Sequence, residues 1–320
     1  MIALELLRAR LRMFGSSRLE RNSGSPNGEL TSSRPASFPM ISGDGFRAMC
    51  DRVWDELSDV GFTAEVANTN VWFCKPDYVS ELVRQIRDTP NMASKCSAMT
   101  LVVHNGDHAV EKAEFTFLSK TFRCVFAVNV ADRMRKAAEP GRLVAIPIGI
   151  ENAHWNRAGS PSHFPQIGHF GELTAWAQRP IDVFACFNPA TNAAEREPLR
   201  KEILIQLPRA WREPTLSQSE FASQLRQSKF VVSPPGNGSD CHRTWEALYL
   251  GAIPVILRDT LDSSLVDGLP IWAVDDWDEF LSITQSERNR IGLKLLERER
   301  GMLDLGYWYS KIRIEPMQFQ

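Results

Sequence analysis

From residue 40 onward, short apolar runs alternate with segments of helical spacing, which predicts strands and helices in turn. "GDGFRAMCDRVWDELSDVG" has helical spacing and reads as one helix ending at Gly61. "ANTNVWFCKP" reads as a strand closed by Pro76, and "DYVSELVRQIRDT" as a helix capped by Asp77. "AMTLVVHNGD" is a buried strand running into a polar loop, and "FRCVFAVNV" and "LVAIPIGI" are further strands. The stretch 151–180, rich in His, Gly, Pro and Trp, reads as loop and marks a domain boundary.

A second series follows the boundary. "IDVFACFN" reads as a strand, "AAEREPLRKEILIQL" and "QSEFASQLRQS" as helices, "LPIWAV" as a strand and "DDWDEFLSI" as the start of a helix. Apolar strands set between helices predict parallel sheets covered on both faces. The expectation is an α/β protein of two Rossmann-like lobes, residues 39–178 and 179–320, after a flexible tail at residues 1–38.

Composition excludes more than it selects. A chain of 320 residues, 43% hydrophobic, is long enough for two ordinary domains. A net charge of −2 gives no global field for nucleic acid, so no nucleic-acid partner is expected. The six cysteines have no CxxC or metal-ligand spacing, which favours reduced thiols and a cytoplasmic setting. No apolar run approaches the length of a membrane span. "MIALELLRARLRMF" is a basic amphipathic stretch in the tail, and its functional reading is peripheral contact with an anionic membrane. Glu5 and the order of the arginines tell against a signal peptide.

The densest chemistry lies in "FVVSPPGNGSDCHRTWEALYLGAIPVIL", residues 230 to 257. The strand must stop at Pro234-Pro235, and Gly236, Asn237 and Gly238 form a tight turn that a ligand can approach. A helix from about Cys241 to Leu250 then points its free N–H groups at that turn, which suits a diphosphate. Arg243 and Glu246 are three apart and share one face. The arginine can fork onto phosphate oxygens, and the glutamate can accept from two ribose hydroxyls. Asn188 and Asn192 in "FNPATN" precede a helix N-terminus and suit phosphate or sugar hydroxyls, although both are also ordinary capping residues. The P-loop pattern is absent. A dinucleotide fingerprint is only partial: Gly236 and Gly238 fit, Cys241 stands at the close-packing position, and Asp259 lies about twenty residues on.

That segment resembles the nucleotide-sugar segment of exostosin-type glycosyltransferases (family 47-like). The family carries a Ser/Cys-Pro-x-Gly turn, an arginine three residues before a glutamate, and a Gly-x-x-Pro-Val strand entry. Arg243, Glu246, Gly251, Pro254 and Val255 stand at the matching places. "DVFACFNPATNAAEREPLR" is similar to the family's entry to its C-terminal lobe. The resemblance implies a GT-B fold, with the two lobes facing each other across a cleft. It also implies a nucleotide-sugar donor, a UDP-sugar, in the C-terminal lobe, and a glycan or other hydroxyl acceptor. Transfer would be inverting, with no essential metal and no other cofactor. The alternatives are a non-catalytic nucleotide-sugar-binding protein on the same scaffold and an NAD-binding oxidoreductase.

An inverting transfer needs a base from the N-terminal lobe, at the ends of its strands. His104, Asp107 and Glu151 are the titratable candidates there, and Asp107 is favoured because it follows Gly106 in a turn that can aim it outward. His104 would then orient it or the acceptor. "LVVHNGDH" also invites comparison with the HxHxDH metal motif, but Val103 and Asn105 stand where two histidines are needed. Asp275, Asp276 and Asp278 resemble a DxD site, yet they open a predicted helix, where carboxylates cap and complement the dipole. No metal site is expected.

Overall fold

The computed structural model describes residues 34–58, 70–107, 110–155, 161–164 and 175–313. In the first lobe, helix α1 (Gly43–Ala48) leads into β1 (Arg52–Trp54) and β2 (Val71–Cys74). Helices α2 (Val79–Asp88) and α3 (Met92–Cys96) precede β3 (Thr100–Val103). Then come α4 (Lys112–Thr121), β4 (Cys124–Ala127), α5 (Asp132–Arg135) and β5 (Leu143–Ala145). The five strands form one parallel sheet in chain order. Trp54, Cys74, Val103, Ala127 and Ala145 are neighbours across it, so the chain leaves every strand at the same edge.

The second lobe begins with β6 (Ile181–Phe184), α6 (Ala193–Gln206), α7 (Gln218–Gln227) and β7 (Ser228–Val232). It continues with α8 (His242–Tyr249), β8 (Ile253–Leu257), α9 (Ser263–Asp267) and β9 (Trp272–Val274). Helices α10 (Trp277–Leu281), α11 (Gln285–Leu295) and α12 (Leu305–Arg313) complete it. Its four strands are parallel, again in chain order. Strand alternation covers both faces: Phe230 and Val232 belong to one apolar core, whereas Val231 joins a second core that continues into the first lobe. Neither sheet reverses its strand order among the described strands. The site is therefore set by the strand ends that meet between the lobes, not by a reversal point within one sheet.

Three expectations need correction. The segment 43–61 is not one helix. Its helix stops at Ala48, and Arg52–Trp54 pairs with Trp72–Cys74 as an edge strand. The Asp51 carboxylate, which accepts from the Asn70 and Val71 backbone N–H groups at 3.1 and 3.0 Å, starts that pairing. Asp77 does not cap α2: a 3-10 turn over Pro76–Tyr78 comes first, and Asp77 pairs with Lys75. The tail does not extend to residue 38, because Ser37 is buried and the Arg34 guanidinium reaches His154 Nε2 at 2.8 Å. Residues 1–33, with the basic amphipathic stretch, lie outside the described residues.

Helix α12 crosses back to the first lobe. Trp308 meets Phe46 edge to face at 6.2 Å, and Arg313 bonds the Asp51 carboxylate at 2.6 Å. Tyr249 of α8 joins the lobes as well, accepting from the Ile41 N–H and donating to the Leu303 carbonyl. Among the described residues, no helix is long and apolar enough to cross a membrane.

Candidate functional site

At the carboxyl ends of β6 and β7 lies a cleft of about 360 Å³, with an apolar wall of Phe164, Phe221 and Leu225. Two guanidiniums flank the Phe187 ring there, Arg196 at 5.8 Å and Arg243 at 5.7 Å from its centroid. Backbone carbonyls hold both in place. Arg196 donates to Pro235 and Asn188, at 2.8 and 3.0 Å, and Arg243 donates to Cys186 at 3.0 Å. Neither makes an ion pair with a carboxylate among the described residues. Burial, followed by repulsion from Arg243, lowers the Arg196 pKa to about 10, so it stays cationic at neutral pH.

Glu246, one turn along α8, is 4% exposed and lines the same cleft. Burial pushes its carboxyl up to about 7. Arg243 opposes this shift, and Glu151 of the other lobe adds to it. The isolated ion pair that i,i+3 spacing allows between Arg243 and Glu246 is not formed, so both groups remain available to a ligand in the cleft.

A second cavity, of about 400 Å³, lies at the matching edge of the first sheet. Lys75 and Asp77 follow β2, Asn105 and Asp107 follow β3, and Glu151 and Trp155 follow β5. Lys75 is paired with Glu56 and Asp77 at 3.4 and 3.5 Å. Trp155 is half exposed at the wall. His242, the first residue of α8, lines this basin and the arginine cleft alike.

The structure brings most of the expected residues to this region and assigns several of them other tasks. Asn188, Arg243 and Glu246 line the cleft. Asn188 also caps its own turn, accepting from the Ala190 N–H at 3.0 Å. Asn192 is the N-cap residue of α6 and does not line the cleft. Gly236 closes a turn onto the Gly238 carbonyl at 3.0 Å. A Cβ on Gly238 would stand 2.8 Å from the Asn129 side chain, so that glycine admits the first lobe rather than a ligand. Asn237 donates across the lobes to Asp107 at 3.2 Å.

Asp107 and Glu151 both line the basin. His104 also reaches it, but neither of its ring nitrogens is available. The Asn105 N–H donates to Nδ1 at 2.7 Å, so Nε2 carries the hydrogen and faces the Pro147 carbonyl at 3.1 Å. Burial lowers its pKa to about 4, and the ring stacks on Phe46 at 5.2 Å. His104 therefore holds the loop and cannot take a proton from an acceptor. His108 lies outside the described residues. Asp276 caps α10 and Asp275 pairs with Arg258, as residues at a helix start do. Asp259, the acid of the partial dinucleotide fingerprint, lines a different cavity.

A family model described as the RXYLT1 C-terminal domain matches residues 190–318, which include α6, β7 and α8. Ribitol-5-phosphate xylosyltransferase 1 of Danio rerio is 27% identical over 137 residues, covering 38% of this chain. The match takes in 31% of that relative's length, so this chain corresponds to a minor part of it.

Two residues of the site escaped the sequence reading. Arg196 sits in an amphipathic helix with a second arginine, Arg200, and nothing local shows that it turns inward under Phe187. His242 adjoins Arg243 in the motif, but its position between two cavities depends on the other lobe.

Proposed function

We propose that the protein transfers a sugar from a nucleotide-sugar donor to a hydroxyl of an acceptor held in the basin of the first lobe. The observation that carries this reading is the arginine pair. Two guanidiniums without a carboxylate partner flank one aromatic ring, a turn away from a buried carboxylate and beside a second cavity. A cation buried as deeply as Arg196, with no carboxylate at ion-pair distance, is costly unless an anion completes the site. A diphosphate does so, with Arg196 and Arg243 on its oxygens and Glu246 one helical turn further, at the ribose hydroxyls.

The exostosin-type resemblance and the xylosyltransferase relative support UDP as the nucleotide and xylose as the first sugar to test. When the sugar–diphosphate bond breaks, negative charge grows on the leaving oxygen. Arg196 and Arg243 stand ready to stabilise it without reorganising. The acceptor lies on the opposite side, in the basin lined by Asp107 and Glu151, so attack proceeds with inversion. Because the guanidiniums neutralise the leaving group, turnover should persist in EDTA.

Thermal stabilisation by UDP, GDP and UDP-sugars tests the donor site, since a ligand at a hundredfold its Kd adds about 2.7 kcal/mol. UDP release from UDP-xylose and other UDP-sugars, with ribitol 5-phosphate and free sugars as acceptors, tests the transfer. Binding of UDP without release from any donor would instead identify a non-catalytic nucleotide-sugar-binding protein.

A further inference from the structure

The ring of His242 has a defined tautomer. Its Nδ1 lies 2.8 Å from the Gly149 carbonyl oxygen. A carbonyl oxygen only accepts, so Nδ1 carries the hydrogen and the neutral ring keeps its lone pair on Nε2. Nε2 has no hydrogen-bond partner among the described residues. The carbonyl that sets this tautomer is itself fixed. Gly149 has φ +72°, and a Cβ there would stand 2.3 Å from the Ile41 carbonyl oxygen. The following residue, Ile150, donates its N–H to that same oxygen at 2.9 Å.

The other titratable groups at the basin are less well suited to accept a proton: Glu56 and Asp77 are paired with Lys75 at 3.4 and 3.5 Å. His104 has both nitrogens engaged. Asp107 already accepts from the Asn237 amide. Glu151 lines the basin but not the arginine cleft. Only His242 among these residues lines both cavities, on the helix that also carries Arg243 and Glu246.

We propose that His242 is the catalytic base, taking the acceptor proton on Nε2. The proposal rests on the glycosyl-transfer reading above. As the hydroxyl proton moves to Nε2, the oxygen's electron pair forms the bond to the anomeric carbon. The bond from that carbon to the diphosphate oxygen breaks, and its electron pair leaves with the nucleotide. The imidazolium then gives its proton to water.

The test is the His242→Asn variant, whose shorter amide can keep an N–H toward the Gly149 carbonyl but offers no basic nitrogen. With the UDP-sugar and acceptor that turn over for the wild type, kcat should fall by ~10²–10⁴-fold. The Kd for UDP should not change. Near-normal turnover in the variant overturns the proposal. A fall in kcat matched by an equal loss of UDP affinity also overturns it, because it marks a packing role. If Asp107→Asn or Glu151→Gln loses more than His242→Asn, the base is that carboxylate. If the wild type consumes no UDP-sugar at all, the functional reading fails first, and the assignment of His242 falls with it.

Discussion

Ile148 of the first lobe gives its backbone N–H to the Asp240 carboxylate of the second at 2.8 Å, and Trp245 bonds the other carboxylate oxygen at 2.8 Å. The acid is 3% exposed, and burial pushes its pKa up to about 7 against these N–H donors. It lies just before α8, so this contact sets the height of His242 and Arg243 relative to the first lobe. An amide there would turn an NH₂ toward one of the donors. Asp240→Asn should cost ~1–3 kcal/mol, the penalty for an unsatisfied buried group, measured by urea unfolding. An unchanged midpoint would show that the lobes do not depend on this bond.

The two arginines of the cleft should behave differently. Arg243→Ala should weaken UDP binding by ~1.5–3 kcal/mol, the range for hydrogen bonds to a charged group, and lower the melting temperature less than Arg196→Ala, since it strands the single Cys186 carbonyl. Arg196→Ala should weaken UDP and also destabilise the fold, because it strands the Pro235 and Asn188 carbonyls. Calorimetric titration with UDP and thermal melts separate the two effects. Wild-type UDP affinity in both variants would place the nucleotide elsewhere.

Glu246 should leave a pH signature. Its folded pKa of about 7 lies above the ordinary 4.5 because burial opposes the charge. Below pH 4.5 the carboxyl is protonated in both states and costs nothing. Between pH 4.5 and 7 the unfolded chain ionises it and the fold does not, so stability is lost over that window and levels off above pH 7. At 1.36 kcal/mol per unit the full penalty is about 3 kcal/mol. Glu246→Gln should therefore raise the melting temperature at pH 8 and change it little at pH 4.5, while weakening uridine binding. Equal effects at both pH values would show that the carboxyl is not raised in the fold.

Helix α12 should be indispensable to the first lobe. Trp308 is 3% exposed and packs on Phe46, with its indole N–H on the Met302 carbonyl at 2.9 Å. Trp308→Ala should cost ~3–5 kcal/mol, as other large-to-small core substitutions do. Denaturant unfolding measures it, and a loss below 1 kcal/mol, the scale of a surface change, would mean the helix is peripheral.

Much of the fold was legible because its signals are local. Apolar runs located the strands on either side of α8, and three-residue spacing put Arg243 and Glu246 on one face of the helix. The turn glycines and the helix N-terminus also followed from backbone chemistry that neighbouring residues control. What tertiary structure decided depends on pairs far apart in the chain. Arg52–Trp54 became a strand because β2 offered it a ladder, overriding a helical pattern. Arg196 became part of the cleft only when α6 brought it under Phe187. His104, well placed in sequence, was withdrawn from acid–base work by the Asn105 N–H and the Pro147 carbonyl. His242 acquired its tautomer from Gly149, 93 positions away in the other lobe. Periodicity reports which face a residue occupies. It carries no record of which distant carbonyl will meet an imidazole there, because that is set by how the two lobes pack against each other.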